Sequence, residues 1–253
     1  NLERLIYILA KKCESVEQWI ELMELYRQLN CKLRRSSINQ YFSTVVDQNK
    51  SQIQKAYEEE RDDLMKSHLL TITENFDDVI AEEDKETCYF SAINASWNFK
   101  QAYPIYMLYL ERFKNDNQRL ISTMLRTVRN VEFQRALNFL IATDERLKAR
   151  GSKLNDICYN NLIRCAPNMG EALAVVPYIK NLQDHTLANI LNILKTKRRV
   201  KDESAKTGYR QDDKIFYYAY SAVMPEIFFK LRRSPYVIGL LYDLAMTHKH
   251  ERF

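Results

Sequence analysis

Clusters of lysine and arginine are the side chains of this sequence with the clearest capacity for chemistry. Grouped cations bind the phosphates of nucleic acids, because each contact releases condensed counterions. The clusters are Lys32, Arg34 and Arg35; Arg126 and Arg129; Lys195, Lys197, Arg198, Arg199 and Lys201; and Arg232 and Arg233. Acidic side chains concentrate instead in the segment 58–86, which indicates that the two signs of charge serve different faces or ends of the molecule. A solvated loop or a localisation signal would account equally for the dense cluster at 195–201.

Residues for catalysis or metal binding lack the spacings that such chemistry requires. The histidines are His68, His185, His248 and His250, and neither an H-E-x-x-H motif nor a Cys/His metal set occurs. The five cysteines form no C-x-x-C pair, which favours free thiols in a reducing compartment. The four glycines are dispersed, whereas dinucleotide folds and P-loops need clustered glycines for phosphate to approach the backbone. We therefore predict that the protein is not an enzyme and uses no cofactor or metal.

The overall composition is that of a folded protein with a mild bias toward anionic partners. Of 253 residues, 46% are hydrophobic and 28% charged, and the net charge is +5. The most apolar stretch, Ile215 to Leu231, contains Pro225, Glu226 and Lys230 and is too short to cross a bilayer. We expect no membrane span.

Apolar residues recur at helical spacing almost throughout, and no stretch shows sustained strand alternation. Ser15, for example, can cap a helix whose apolar face carries Trp19, Leu22, Met23 and Tyr26. The pattern predicts an all-α fold.

The helical pattern also repeats. Cys88-Tyr89-Phe90-Ser91-Ala92-Ile93 matches Cys158-Tyr159-Asn160-Asn161-Leu162-Ile163 at an offset of 70 residues, which is two units of 35. Small residues follow at the same spacing, at Ala102, Ala136 and Ala172. Such a period predicts an α-solenoid of antiparallel helical hairpins, with the three alanines buried in the second helices.

Four segments follow from this pattern. They are N-terminal hairpins at 1–68, an acidic insertion or short helix at 69–85, repeat hairpins at 86–199, and a basic loop with C-terminal capping helices at 200–253. We expect Ile215, Phe216, Phe228, Phe229, Ile238 and Leu241 to bury against the last hairpin, since an open solenoid end would expose its core.

The segment 158–181 resembles a pentatricopeptide repeat, a unit of about 35 residues. Cys158-Tyr159-Asn160-Asn161-Leu162-Ile163 is similar to the start of that family's first helix, and Gly170-Glu171-Ala172-Leu173 to the opening of its second. The resemblance extends over 86–185 and weakens over 1–57. It implies a superhelix that binds single-stranded RNA along the groove lined by the first helices, in mitochondrial or other organellar RNA processing, stability or translation.

The resemblance also implies which residues contact the RNA. The base-selecting position falls on Asn160 and Phe90, and on Thr123 or Met124 in the unit between them. Asn160 can hydrogen-bond a base edge, whereas Phe90 can only stack. We expect a positively charged face to hold the phosphates through Arg126, Arg129, Lys195, Lys197, Arg198 and Arg199. Two alternatives stay open, namely a protein-binding helical-repeat scaffold and a structural subunit of a large assembly.

Overall fold

The secondary structure of the protein is helical wherever the chain is described. The computed structural model describes residues 2–55, 63–167 and 169–179. The α-helices are α1 (Leu2–Ala10), α2 (Val16–Gln28), α3 (Arg35–Lys55), α4 (Leu64–Asn75), α5 (Lys85–Ala95), α6 (Phe99–Phe113), α7 (Gln118–Leu125), α8 (Phe133–Ala149), α9 (Asp156–Arg164) and α10 (Met169–Val175). Within these ranges no strand forms, and a single isolated bridge pairs Leu33 with Ile80. The prediction of an all-α fold is confirmed.

Polar side chains fix where several helices begin. Ser15 caps α2 as expected, since its hydroxyl accepts a hydrogen bond from the Gln18 backbone N–H and the Gln18 side chain accepts one from the Ser15 N–H. The helices α6, α7 and α9 are capped by Asn98, Asn117 and Asn155, whose side-chain oxygens accept hydrogen bonds from backbone N–H groups of the first turn. These caps satisfy donors that a helix cannot pair internally.

The chain forms two compact units, Asn1–Thr127 and Val128–Phe253. In the first unit α3 packs against α5, and α5 packs against α6 and α7 as well as α4. In the second unit α9 packs against both α8 and α10. Among the described helices, none is both long and apolar enough to cross a bilayer.

Four helices bury the same set of positions. In each of α3, α5, α7 and α9 the residues at i, i+1, i+4 and i+5 are all buried, which places a shared set on one side of the helix. They are Ser37, Ile38, Tyr41 and Phe42; Cys88, Tyr89, Ala92 and Ile93; Leu120, Ile121, Met124 and Leu125; and Cys158, Tyr159, Leu162 and Ile163. We call this set the core register.

The three alanines predicted to be buried are indeed buried. Ala102, Ala136 and Ala172 are each 0% exposed, and each is the fourth residue of its helix, in α6, α8 and α10. A methyl side chain lets a neighbouring helix approach closely. A small residue therefore recurs at this position because the position is buried in each of the three helices.

The segment 69–85 contains the rest of α4, which begins at Leu64, and two 3₁₀ turns at Asp77–Val79 and Glu82–Asp84. The Leu33 N–H donates to the Val79 carbonyl at 2.7 Å, so this segment is tied to the start of α3. The boundaries at 68, 85 and 199 stay predictions. The expected C-terminal cap at 200–253, with its residues Ile215 to Leu241, lies outside the described residues.

Candidate functional site

A groove runs across three neighbouring helices of the first unit, α3, α5 and α7. Its volume of about 780 Å³ lies in the range of ligand pockets. Its lining comprises Arg35, Asn39, Phe42, Ser43 and Val46 from α3; Glu86, Thr87, Phe90, Ser91, Asn94 and Ala95 from α5; Arg119 and Thr123 from α7; and Glu83 and Arg126 from the adjoining chain. We call this surface the α3–α5–α7 groove.

The core register decides which side chains reach this groove. In α3 and α5 the positions i+2 and i+6 turn away from this core. These positions are Asn39 and Ser43 on α3 and Phe90 and Asn94 on α5. Arg126 follows α7 at the equivalent of i+6. Each of the three helices thus contributes side chains from outside its core to one shared surface.

The arginines of the groove differ from its acids in their pairing. Arg35, Arg119 and Arg126 are exposed, and none forms an ion pair with any described residue. Glu83, in contrast, is ion-paired with Arg34 beside the groove. A backbone hydrogen bond and the Arg34 guanidinium lower the pKa of the Glu83 carboxyl. The groove therefore offers guanidinium groups that an anion can bind without displacing a described carboxylate.

Glu86, the second acid of the groove, is also engaged. Its Oε1 accepts a hydrogen bond from the Tyr109 hydroxyl, and its Oε2 accepts one from Asn117 Nδ2, both at 3.3 Å. These bonds hold the carboxylate toward α6 and the start of α7.

An aromatic ring lies between the groove cations. Phe90 is partly exposed, and the Arg119 guanidinium lies over it, 5.7 Å from the ring centre. This distance is within the range of a cation–π contact. The pair offers a flat surface next to a positive charge, which suits a planar group attached to an anion.

A hydrogen bond crosses the groove from α5 to α3. Ser91 Oγ lies 2.6 Å from Asn39 Oδ1 and 2.8 Å from the Thr87 carbonyl oxygen, so two acceptors compete for its one hydroxyl proton. Ser91 is only 7% exposed, whereas Asn39 is exposed. The buried hydroxyl thus joins α5 to an exposed side chain of α3.

Two of the predicted RNA-contacting residues lie together in the groove, and the structure shows which of two alternative residues is accessible. Phe90 and Arg126 both line the groove. Thr123 also lines it, whereas Met124 is buried in the core, so Thr123 is the accessible member of that pair.

Asn160 does not lie where we expected a base-contacting side chain. It is only 3% exposed, so it is not open to solvent. In the first unit the equivalent positions of the core register, Asn39 and Phe90, are accessible. Base contact needs an accessible side chain, so this burial does not support the expected role of Asn160, which stays a prediction.

Arg129 belongs to the second unit and is partly exposed, with its backbone N–H donating to Glu132 Oε2 at 3.1 Å. Lys195, Lys197, Arg198 and Arg199 lie outside the described residues.

Sequence analysis did not select Arg35, Arg119 or Asn39 as site residues. Arg35 stands in a basic cluster of the sequence, but the repeat resemblance is weakest there. Arg119 has no basic neighbour within four residues, so charge clustering gives no signal for it. Only the packing of α3, α5 and α7 brings these side chains to one surface.

A second polar region in the same unit has the opposite character. Asp77 Oδ2 accepts from Lys85 Nζ at 2.9 Å and Asp77 Oδ1 from Arg112 Nη2 at 2.6 Å. Both carboxylate oxygens of Asp78 accept from Arg27, at 2.9 Å. These contacts link α2, α5 and α6 to the turn at Asp77–Val79. We call this arrangement the Asp77–Asp78 network.

The network keeps both aspartates ionised. Hydrogen bonds from Arg27 lower the pKa of Asp78. Burial alone would raise the pKa of Asp77, but hydrogen bonds from Lys85 and Arg112 outweigh it, and the pKa is lowered. Each charged side chain of the network is therefore paired with another side chain of the protein.

No group of three or more His, Cys, Asp or Glu side chains in the described ranges is arranged to hold a metal ion. His68 Nδ1 lies 2.9 Å from the Tyr41 hydroxyl between α4 and α3. Comparisons of the whole chain with protein-family models, curated proteins and solved structures gave no match.

Proposed function

We propose that this protein is an α-solenoid of helical hairpins, similar to pentatricopeptide-repeat proteins, that binds single-stranded RNA in the α3–α5–α7 groove. The observation that carries the proposal is the set of three arginines without a described ion-pair partner around the partly exposed Phe90 ring. Phosphate oxygens match guanidinium groups, and a base face matches the ring.

The ring favours a single strand over a duplex. In a duplex both faces of each base are covered by the neighbouring base pairs, so an aromatic side chain cannot stack on them. An unpaired base can leave its neighbours and stack on Phe90 with Arg119 nearby. Single-stranded nucleic acid therefore uses both features of the groove.

The packing supports the solenoid part of the proposal. In the first unit α5 packs against both α3 and α7, and α4 packs beside α6, as the first and second helices of successive hairpins would. The core register recurs in four helices, and the buried alanine recurs at the fourth residue of three others. Repeated neighbour contacts and repeated small residues are what a helical-repeat array requires.

The cellular part of the proposal comes from the family resemblance alone. We place the protein in a mitochondrion or another organelle, where it would act non-catalytically in RNA processing, stability or translation. Localisation of a tagged full-length protein, followed by ultraviolet crosslinking and recovery of bound RNA, tests this part. Tagged protein found outside organelles would contradict it.

Fluorescence anisotropy with a labelled single-stranded RNA across a salt series tests the binding. Three phosphate contacts predict a slope of log affinity against log salt of about −2. Changing Arg35, Arg119 and Arg126 together to Gln should flatten the slope by about two and weaken binding at low salt.

The matched control removes the same charge elsewhere in the first unit, by changing Lys11, Lys12 and Lys114 to Gln. These lysines are exposed and do not line the groove. The proposal is wrong if the two triple variants change the slope equally, or if the unaltered protein does not bind RNA at low salt.

A protein-binding groove is the second candidate, because Phe42, Val46 and Ala95 add an apolar part to the lining. Amphipathic helices dock in grooves of this composition through apolar contacts. Such a ligand would bind with little dependence on salt or on the three arginines.

A further inference from the structure

The arginines of the α3–α5–α7 groove share a space that suits one small ligand. A volume of about 780 Å³ is that of a single ligand pocket, so the groove holds a short piece of a strand. Arg35, Arg119 and Arg126 all line this space, and none forms an ion pair with a described residue. Guanidinium groups are therefore more concentrated here than one internal phosphate, with its single negative charge, requires.

The charges of the described lining leave an excess of positive charge. Two glutamates accompany the three arginines. Glu83 is neutralised by Arg34, which lies beside the groove, so Glu86 is the acid that offsets one arginine. Two positive charges remain, and they match a phosphate monoester, which carries about −1.5 to −2 at pH 7.

We infer that the groove holds the terminal phosphate of a single-stranded RNA, which is a phosphate monoester at the end of the strand. The inference rests on the proposed RNA binding and names the part of the RNA that this groove takes. The guanidinium groups bind the monoester oxygens. Phe90, with the Arg119 guanidinium 5.7 Å from its ring centre, stacks on the adjoining base.

The surroundings of the groove favour the end of a strand over its middle. The turn Glu82–Asp84, directly before α5, consists of three successive acids. Asp84 Oδ2 accepts from the Arg35 backbone N–H at 3.2 Å, and Glu83 lines the groove, so this turn is held at the groove edge. A strand that continued past the turn would bring its next phosphates toward these carboxylates, whereas a strand that ends in the groove avoids them.

The ionisation of the monoester gives a signature that internal phosphates lack. A phosphate monoester loses its second negative charge below about pH 6, whereas a phosphodiester keeps its single charge. The charged groups of the described lining are the three arginines, Glu83 and Glu86, with no histidine among them. His68 contacts Tyr41 between α4 and α3 and does not line the groove. A change in the preference for a phosphorylated strand near pH 6 therefore reports the ligand.

Fluorescence anisotropy with internally labelled oligouridines of equal length tests the inference on the full chain at low salt. One oligomer carries a 5′-phosphate, one carries a 3′-phosphate, and one has hydroxyl groups at both ends. At about pH 7.5 a terminal phosphate should tighten binding about 10-fold, which is the size of one charge-assisted hydrogen bond. The larger of the two gains identifies the end that the groove takes. At about pH 5 the gain should fall to about 3-fold, because the monoester keeps one of its two charges.

The two triple variants introduced above show where the terminal phosphate binds. Changing the three groove arginines to Gln should abolish the gain, whereas changing Lys11, Lys12 and Lys114 to Gln removes the same charge outside the groove and should preserve it. Circular dichroism melts establish that each variant is folded. Arg126→Gln alone, with an expected gain of about 3-fold, replaces the groove variant if the latter does not fold.

Two kinds of outcome overturn the inference in different ways. If the unaltered protein binds all three oligomers equally, or if the lysine variant loses the gain as fully as the groove variant, the groove does not hold the terminal phosphate and the RNA-binding proposal stands. If no oligomer binds at low salt, the RNA-binding proposal falls and the inference falls with it.

Discussion

The α3–α5–α7 groove and the Asp77–Asp78 network both contain basic side chains, but among the described residues these are paired with carboxylates in the network and not in the groove. In the network, Arg27, Lys85 and Arg112 are hydrogen-bonded to aspartates. In the groove, Arg35 and Arg126 have no carboxylate partner among the described residues. Clustered charge therefore does not identify a binding surface, because a paired cation contributes to the fold and an unpaired one remains available to a ligand.

The largest expected difference between the two regions concerns the ring of the groove. Phe90→Leu removes base stacking but keeps apolar volume, and should weaken RNA binding by about 1–3 kcal/mol. The salt slope should not change, because no phosphate contact is lost. Fluorescence anisotropy across a salt series measures both quantities.

Tyr7→Leu is the control for this substitution, since Tyr7 is an aromatic residue of α1 that is 41% exposed and does not line the groove. Equal losses of affinity in the two variants would remove Phe90 from the proposed site.

A substitution in the network should have the reverse effect. Asp77→Asn weakens the contacts with Lys85 and Arg112, and should lower the free energy of unfolding by about 1 kcal/mol after allowance for solvent screening. RNA affinity measured well below the melting temperature should stay unchanged. Urea unfolding followed by circular dichroism gives the stability.

Asp63→Asn is its control, because Asp63 is exposed and its side chain makes no capping hydrogen bond at the start of α4. A loss of RNA binding in Asp77→Asn without a loss of stability would erase the distinction between network and groove.

The smallest expected effect is the response of the network to acid. The pKa of Asp77 is lower in the folded protein than its ordinary value, so its ionised form stabilises the fold above about pH 4. This contribution is lost as the pH falls through the lowered pKa. Urea unfolding at a series of pH values should therefore show the unaltered protein losing stability below about pH 4, and Asp77→Asn losing less. Parallel curves for the two proteins would contradict the assignment.

Local patterns in the sequence were sufficient for the helices and for several contacts within them. Helical spacing of apolar residues predicts the all-α fold, and Ser15 and the three alanines stand where those patterns place them. The cap and the apolar faces depend on residues within one or two turns of each other, and the alanines on a repeat of about 35 residues, so periodicity along the chain is enough to find them.

The groove could be predicted only in part, because it forms from side chains far apart in the chain. The family resemblance led to Phe90 and charge clustering to Arg126, but Arg35 and Arg119 become neighbours of Phe90 only when α3 and α7 pack on α5. Asn160 shows that a residue selected from the sequence can be buried in the structure. Its sequence context is similar to that of Phe90, yet the surroundings of α9 bury it. Exposure at an equivalent position depends on the neighbouring helix, which local spacing does not specify.

The core register has a consequence for how the protein can change over evolutionary time. Stability resides in the buried positions i, i+1, i+4 and i+5, while the groove residues Asn39, Phe90 and Asn94 occupy positions between them. Substitutions at exposed positions usually alter stability by less than about 0.5 kcal/mol. A lineage can therefore replace the side chains that meet the ligand one at a time, and acquire a new ligand preference, while the helices beneath them stay packed as they are.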